Sequence, residues 1–287
     1  MIKVGYLVSY DYGLLFTSIK QLYEHVDRIY LAIDKDLKTW SGNSFELPQN
    51  FFDELKVFDT NGKIEIYYES FYLPDFTPSM CETRQRNMLA KHMGKGWLMQ
   101  LDVDEYIYDF KKVSNYLRKY WYLTLFPKKT PIVFRGKLIT LFKKLPDGYL
   151  YIDNNEKFPF VTNIPQYSGA RFNNSVKNHF TNISTIHQSW ARSQEEIYFK
   201  ITNWGHKDAF DTQKFLNLWE SLDSLNYKEF RNFHPLVPEV WNELKFLKCH
   251  SIDDFICKYS VENEQKLIFI ESKKLLKAII NKVFNKC

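Results

Sequence analysis

The chain has 287 residues, 45% hydrophobic and 25% charged, with a formal net charge of +5. That is ordinary globular usage and excludes wholesale disorder or a fibrous protein. The length suffices to bury a substantial core, as one large domain or as a domain with a smaller helical appendage. The aromatic share of 17% says nothing about sugar stacking, because Tyr, Phe, Lys, Asn and Ile rise together as a compositional bias. Cys81, Cys249, Cys257 and Cys287 are too far apart for a zinc-ligand pair and too sparse for a disulfide framework, which favours a reducing compartment. The opening MIKVGYLVSY lacks the longer apolar core of a signal peptide, and no run of roughly 18 apolar residues occurs, so a cytoplasmic protein is expected.

In chain order, strands are predicted at Lys3 to Ser9, Arg28 to Asp34, Ile64 to Phe71 and Gly96 to Asp102. Between the first two, Leu15, Ile19 and Leu22 recur at helical spacing within Leu14 to His25. Pro78 to Met93 reads as a helix, opened by Pro78 and closed by Gly94. Strands alternating with helices predict an α/β fold with a mostly parallel sheet. A further helix is expected at Asp109 to Trp121. Two β-rich runs then flank Leu145-Pro146-Asp147-Gly148, a hairpin signal within Pro131 to Tyr151. The stretch from Asp153 to Ile186, rich in Asn and Pro, reads as irregular with short strands. After Asp211 helices are expected at Gln213 to Phe230, near Glu239 to Leu247 and from Glu262 to Asn285.

The sharpest feature is Trp97-Leu98-Met99-Gln100-Leu101-Asp102-Val103-Asp104-Glu105, an apolar strand ending in three carboxylates. On an extended backbone Asp102 and Asp104 point the same way, about 6.6 Å apart. They can then share one Mg²⁺ or Mn²⁺, which suits carboxylate oxygens and leaves positions for phosphate. A metal there would neutralise a departing diphosphate. A D-x-D triplet also arises as a solvated turn capping a strand. What distinguishes this one is its place at the carboxyl end of the fourth strand of a parallel series, where α/β sheets bind ligands.

This pattern resembles the GT-A fold of the family 2 type of glycosyltransferases, in which a D-x-D or D-x-D-E motif ends a central strand. Glu82-Thr83-Arg84-Gln85-Arg86-Asn87 is similar to the arginine-bearing helix that precedes that strand in related enzymes. Ile29 to Asp34 resembles the second strand ending in an acid. His187-Gln188-Ser189-Trp190-Ala191-Arg192, with Glu196, Lys200 and Asn203-Trp204-Gly205-His206, resembles the downstream block of a bacterial branch. The resemblance covers roughly residues 1–210, and it implies a Rossmann-like GT-A domain at 1–211 followed by a helical C-terminal extension at 212–287.

It further implies that Asp104 binds the metal directly and that Asp102 approaches the ribose or the metal through water. Asp34 would lie near the base or ribose, and Ser9-Tyr10-Asp11 would contact the base of a UDP- or GDP-sugar. Lys35-Asp36-Leu37 departs from the usual small polar turn, so the base is left open. Arg84 and Arg86 are two apart on a helix, so at most one meets the diphosphate, and a surface charge is the alternative for each. His187 and His206 are candidates for a third metal ligand or a diphosphate contact, with His206 preferred between Gly205 and Asp208.

Inverting transfer needs a carboxylate to take the acceptor's proton. Asp208 is the first choice and Glu196 the second, with Glu195 and Asp211 also in reach. Glu196 and Lys200, four apart, have an ion pair as their competing explanation. Asp104→Ala is expected to abolish turnover and leave the protein folded.

Near the end, Leu275, Leu276, Ile279, Ile280, Val283 and Phe284 recur at helical spacing among lysines. Such a helix either docks on its own domain or makes peripheral contact with an anionic membrane, where a lipid-linked acceptor would be met. The leading expectation is a metal-dependent glycosyltransferase acting on a cell-surface glycan or other acceptor. A metal-dependent nucleotidyltransferase would show a Gly-rich basic loop after the first strand, and Ser9-Tyr10-Asp11-Tyr12-Gly13 offers one glycine and no base. A basic module for membrane or nucleic acid fits the tail, but the carboxylates repel phosphate, and no nucleic-acid partner is expected.

Overall fold

The computed structural model describes residues 1–203 and 210–270. β1 (Ile2–Val8) pairs in parallel with β2 (Arg28–Asp34) and with β4 (Trp97–Asp102), and β3 (Ile64–Glu69) extends the parallel block beyond β2. Every β1 residue except Lys3 is buried. That follows from helices covering both faces of a parallel block.

Alternation along β1 divides its side chains between those helices. Val4, Tyr6 and Val8 share a core with Leu15 and Ile19 of α1 (Leu15–Leu22) and with Val113 and Leu117 of α4 (Phe110–Lys119). The same core takes Phe51 and Leu55 of α2 (Gln49–Phe58), a helix not predicted from the sequence. Leu7 instead meets Leu89, Ala90 and Met93 of α3 (Pro78–Met93). That approach is close: a Cβ on Gly5 would stand 2.7 Å from Leu89 Cδ2 and 2.8 Å from Met93 Sδ. α3 has the predicted ends, with Pro78 after the capping Thr77 hydroxyl and Gly94 at φ 72°.

The other half of the sheet is mostly antiparallel. β6 (Ile132–Leu145) and β7 (Gly148–Ile152) form the predicted hairpin, Leu145 opposite Gly148. β8 (Lys157–Thr162) joins β6 to β4. β9 (Lys177–His187) runs parallel to β6, and its end pairs with the short β5 (Glu105–Tyr106), Glu105 opposite His187. So the sheet is mixed, the expected parallel arrangement being the block of β1 to β4.

The stretch read as irregular holds the eleven-residue β9. Pairing with β6 and burial of Thr181, Ile183, Thr185 and Ile186 override its polar composition. The segment near Glu239 to Leu247, expected to be helical, carries β10 (Lys245–Lys248), which pairs with the edge of β7. An open sheet edge supplies hydrogen bonds that local helical spacing does not foresee.

α5 (Gln194–Asn203) and α6 (Thr212–Ser221) cover β6 and β7, with Ile197, Phe215 and Trp219 packed on Phe142 and Leu150. α6 is shorter than predicted because Asp223 accepts from the N–H groups of Leu225 and Asn226, a turn that replaces helix. α7 (Ile252–Glu262) starts at a Ser251 cap and ends where the closing helix was expected to begin. Residues 263–270 then carry neither helix nor strand, Gln265 bonding Ser184 and Tyr120 bonding Ile270. The rest of the expected closing helix lies outside the described residues. Residues 212–270 thus contribute a strand to the same sheet as well as helices. Among the described residues no helix is long and apolar enough to cross a membrane.

Candidate active site

A cleft of about 400 Å³ opens beyond the carboxyl ends of β1, β2 and β4 and runs on over β6 and β9. Its parallel-block side is lined by Ser9, Tyr10 and Asp11 after β1, by Asp34 at the end of β2, and by Asp102 and Asp104 after β4. This is where such a sheet leaves backbone ends and loops to meet a ligand.

The acidic run does not continue as a strand. β4 stops at Asp102, and the chain turns through Val103 and Asp104 into β5. Glu105 folds back to accept from the Asp102 N–H at 3.0 Å. Asp102 and Asp104 therefore take different partners instead of the expected shared one. Arg86 Nη2 lies 2.7 Å from Asp102 Oδ1, with Arg171 at 3.5 Å from Oδ2. Arg192, Lys200 and His187 converge on Asp104 Oδ2 at 2.5, 3.4 and 3.5 Å. Glu105, fully buried, is held at both oxygens by Arg171 at 2.6 Å.

Electrostatics follow from these contacts. Burial works against an ionised Asp104, but His187, Lys200 and Arg192 outweigh it and hold the carboxyl well below the usual range. Burial is likewise overcome at Asp102, by Arg86 and then Arg171. At Asp11 burial prevails over Arg192 and pushes the carboxyl up. Burial and Arg192 together push Lys200 down, against Asp104 and Asp11.

Other expected site residues are placed as follows. Asp11 binds Arg192 at 3.1 Å and accepts from Ser9 at 3.3 Å, and the Tyr10 ring meets Phe199 edge-on at 4.7 Å. Asp34 lines the cleft, but Oδ1 accepts from the N–H of Asp36 and Lys38 and Oδ2 from those of Phe71 and Tyr72. It is an anchor for two loops, not a free group for a ribose. Arg84 turns away to the carbonyls of Ser70 and Phe71 and is not a diphosphate ligand here. Arg86, buried, bridges Glu82 and Asp102.

Glu196 is exposed and outside the cleft. It accepts from the Ser193 N–H at 2.8 Å while Ser193 Oγ accepts from the Glu196 N–H, a capping box opening α5. That corrects both readings of it, as catalytic acid and as ion-pair partner of Lys200, whose ammonium goes to Asp104 and Ser189. His206 and Asp208 lie outside the described residues.

The donor set of the described residues does not fit a resident Mn²⁺ or Mg²⁺. Among the described residues no three His, Cys, Asp or Glu side chains form a ligand group. Asp102 and Asp104 are already matched by three guanidiniums and an ammonium, whose charges repel a divalent ion placed between them. Among the described residues, then, Asp102 and Asp104 hold basic side chains instead of the shared metal expected of them, and His206, the expected third ligand, lies outside those residues.

Arg171 was missed by sequence reasoning. It sits in the Asn-rich stretch after Ala170, a residue at φ 43°, and no periodic pattern marks it. Lys200 and Arg192 stood within the quoted downstream block, yet only folding brings them 96 and 88 positions across the chain to Asp104.

No protein-family model matches the chain. No curated protein matches it either. Among solved structures, S. aureus TarS is 11% identical over 50% of this chain and 22% of its own, with a TM-score of 0.31. HddC from Yersinia pseudotuberculosis is 12% identical, over 65% of this chain and 93% of its own, at 0.32. A putative glucose-1-phosphate thymidylyltransferase from Bacillus anthracis is 7% identical over 93% and 96%, at 0.30. The matched part is thus about a fifth of TarS, and likenesses this distant do not bear on activity.

Proposed function

We propose that this chain is a nucleotide-sugar-dependent glycosyltransferase that moves a sugar, with inversion, from a UDP- or GDP-sugar to a glycan or lipid-linked hydroxyl acceptor. The observation that carries the reading is the cluster of Arg171, Arg192 and Lys200 around the turn after β4, beside a cleft at the carboxyl ends of parallel strands. In this reading the loop Ser9-Tyr10-Asp11 and the neighbouring Thr39 and Trp40 face the nucleoside. Lys200 and Arg171, both lining the cleft, face the diphosphate.

As the bond from the sugar to the diphosphate breaks, negative charge grows on the leaving oxygen. Fixed cations stabilise that charge more than they stabilise the intact donor, which is what lowers a barrier. The carboxylates hold the cations in place before the donor arrives. No divalent ion takes part in this reading. Peripheral membrane contact through the Lys-rich C-terminal segment stays a proposal on its sequence.

Calorimetric titration with UDP-glucose, UDP-N-acetylglucosamine, GDP-mannose and dTDP-glucose, each in EDTA and in Mn²⁺, tests it. Binding of at least one donor in EDTA is expected. Binding of none under either condition overturns the reading, and binding only with Mn²⁺ overturns its metal-free part.

A further inference from the structure

We infer that Glu156 takes the proton from the acceptor hydroxyl, and that the cleft around it binds a neutral hydroxylated ring such as a sugar. This rests on the proposed transferase reading.

Elimination among the acids comes first. Of the described carboxylates lining the cleft, Asp11 is tied to Arg192, Glu82 to Arg86, Asp102 to Arg86 and Arg171, and Asp104 to three basic groups. Asp34 is saturated by backbone N–H groups. Asp102 and Asp104, held low by their ion pairs, are poor proton acceptors, and Asp11, although burial pushes it up, is occupied by Arg192. Glu156 lines the same cleft, and among the described residues the groups that act on its carboxyl are His187 and Trp241, not a Lys or Arg.

The backbone aims it there. Glu156 ends the connection from β7 to β8, where Asn155 takes a left-handed turn at φ 61° and Asn154 Oδ1 accepts from the Glu156 N–H at 3.2 Å. Its own carbonyl accepts from Leu138 on β6 at 2.8 Å, which fixes the residue over the antiparallel half. Burial pushes its carboxyl up, against the opposing influence of His187 and the Trp241 indole. Such a carboxylate holds a proton better than an exposed one, which is what a general base requires.

The surroundings suit an uncharged ring. Beside Glu156 the cleft is lined by Leu138, Thr140, Trp190, His234 and Trp241, with His187 at the border toward Asp104. Trp241 is buried, and its indole N–H bears on the Glu156 carboxyl without making a full hydrogen bond. His234 stands edge-on to Trp241 at 4.4 Å, and its Nδ1 accepts from the N–H of Leu236 and Val237, which leaves the proton on Nε2. Burial lowers its pKa, so the ring is a neutral donor. Aromatic faces and neutral N–H donors around one carboxylate without a Lys or Arg partner match a sugar and not a phosphate.

In the step itself the acceptor oxygen bonds the sugar's anomeric carbon as its proton passes to Glu156. The bond from that carbon to the phosphate oxygen breaks, and its electron pair leaves with the nucleoside diphosphate. Glu156 then returns the proton to water.

The test compares wild type with Glu156→Gln and Trp241→Phe, reading donor binding by calorimetry and nucleoside diphosphate release with a panel of p-nitrophenyl glycosides as acceptors. Glu156→Gln should keep donor affinity within about 2-fold while kcat falls about 100-fold or more, the scale of a lost general base. Trp241→Phe should raise the KM for acceptor and leave donor affinity unchanged. A Glu156→Gln enzyme that binds donor and turns over within about 5-fold of wild type overturns the inference alone, since general-base loss costs more than that. A wild type that binds no donor overturns the transferase reading and this inference with it.

Discussion

Arg192 Nη2 stands 2.5 Å from Asp104 Oδ2 and 3.1 Å from Asp11 Oδ2, so one buried guanidinium ties the loop after β1 to the turn after β4. Both ends of the tie are cleft residues. The charge pairing that shapes the cleft is therefore also part of what holds the fold together, and changes there register in stability as well as in binding.

Asp104→Asn keeps the volume and removes the charge, leaving Arg192 and Lys200 buried without their shared counterion. Breaking one side of a buried pair costs about 3–5 kcal/mol. Urea unfolding should show a loss of that size, and a loss below about 1 kcal/mol would mean the pairs are loose in solution. Asp104→Ala should destabilise comparably, contrary to the sequence expectation that the acid contributes little to folding.

Acid should undo the same network. Asp102 and Asp104 have folded pKa values below the ordinary one, so the unfolded chain takes up protons first as pH falls. Their contribution is present above the ordinary carboxylate range and is lost as pH drops through their folded values. Asp11 and Glu156, pushed up, act with the opposite sign, their contribution fading as pH rises. Thermal melts across acidic pH should show a drop below about pH 4, near the unperturbed carboxyl value, that Asp104→Asn largely removes.

Lys200→Met should lower affinity for the best-binding nucleotide sugar by at least about 10-fold, or about 1.4 kcal/mol. EDTA should leave the wild-type affinity unchanged. Calorimetry reads both, and a variant that binds like wild type would remove Lys200 from the donor site.

Glu196→Ala should cost about 0.5–2 kcal/mol, the usual price of a helix cap, and leave turnover unchanged. An inactive but fully folded variant would return Glu196 to the chemistry.

Gly5→Ala should destabilise by about 1–3 kcal/mol, because the new methyl meets Leu89 and Met93 where α3 lies on β1. A chemical denaturation midpoint equal to wild type would show that α3 shifts freely.

What the amino-acid sequence determined by itself is local. Apolar runs marked β1, β2, β3 and β4, Pro78 and Gly94 bracketed α3, and Leu145-Pro146-Asp147-Gly148 turned the β6–β7 hairpin. Each rests on interactions among residues close in the chain, so spacing and turn chemistry suffice to read them. The acidic turn at Asp102 to Glu105 was legible for the same reason, and its place at a strand end located the cleft. Only the tertiary structure decided what those acids do. Arg171 reaches Glu105 across 66 positions, and Lys200 and Arg192 reach Asp104 across 96 and 88. Asp34 looked free in sequence because backbone N–H groups, its actual partners, carry no sequence signature, whereas Glu196 stands three residues after Ser193, the legible spacing of a capping box. β9 and β10 became strands because β6 and β7 offered open edges, a demand set by neighbours and not by local propensity.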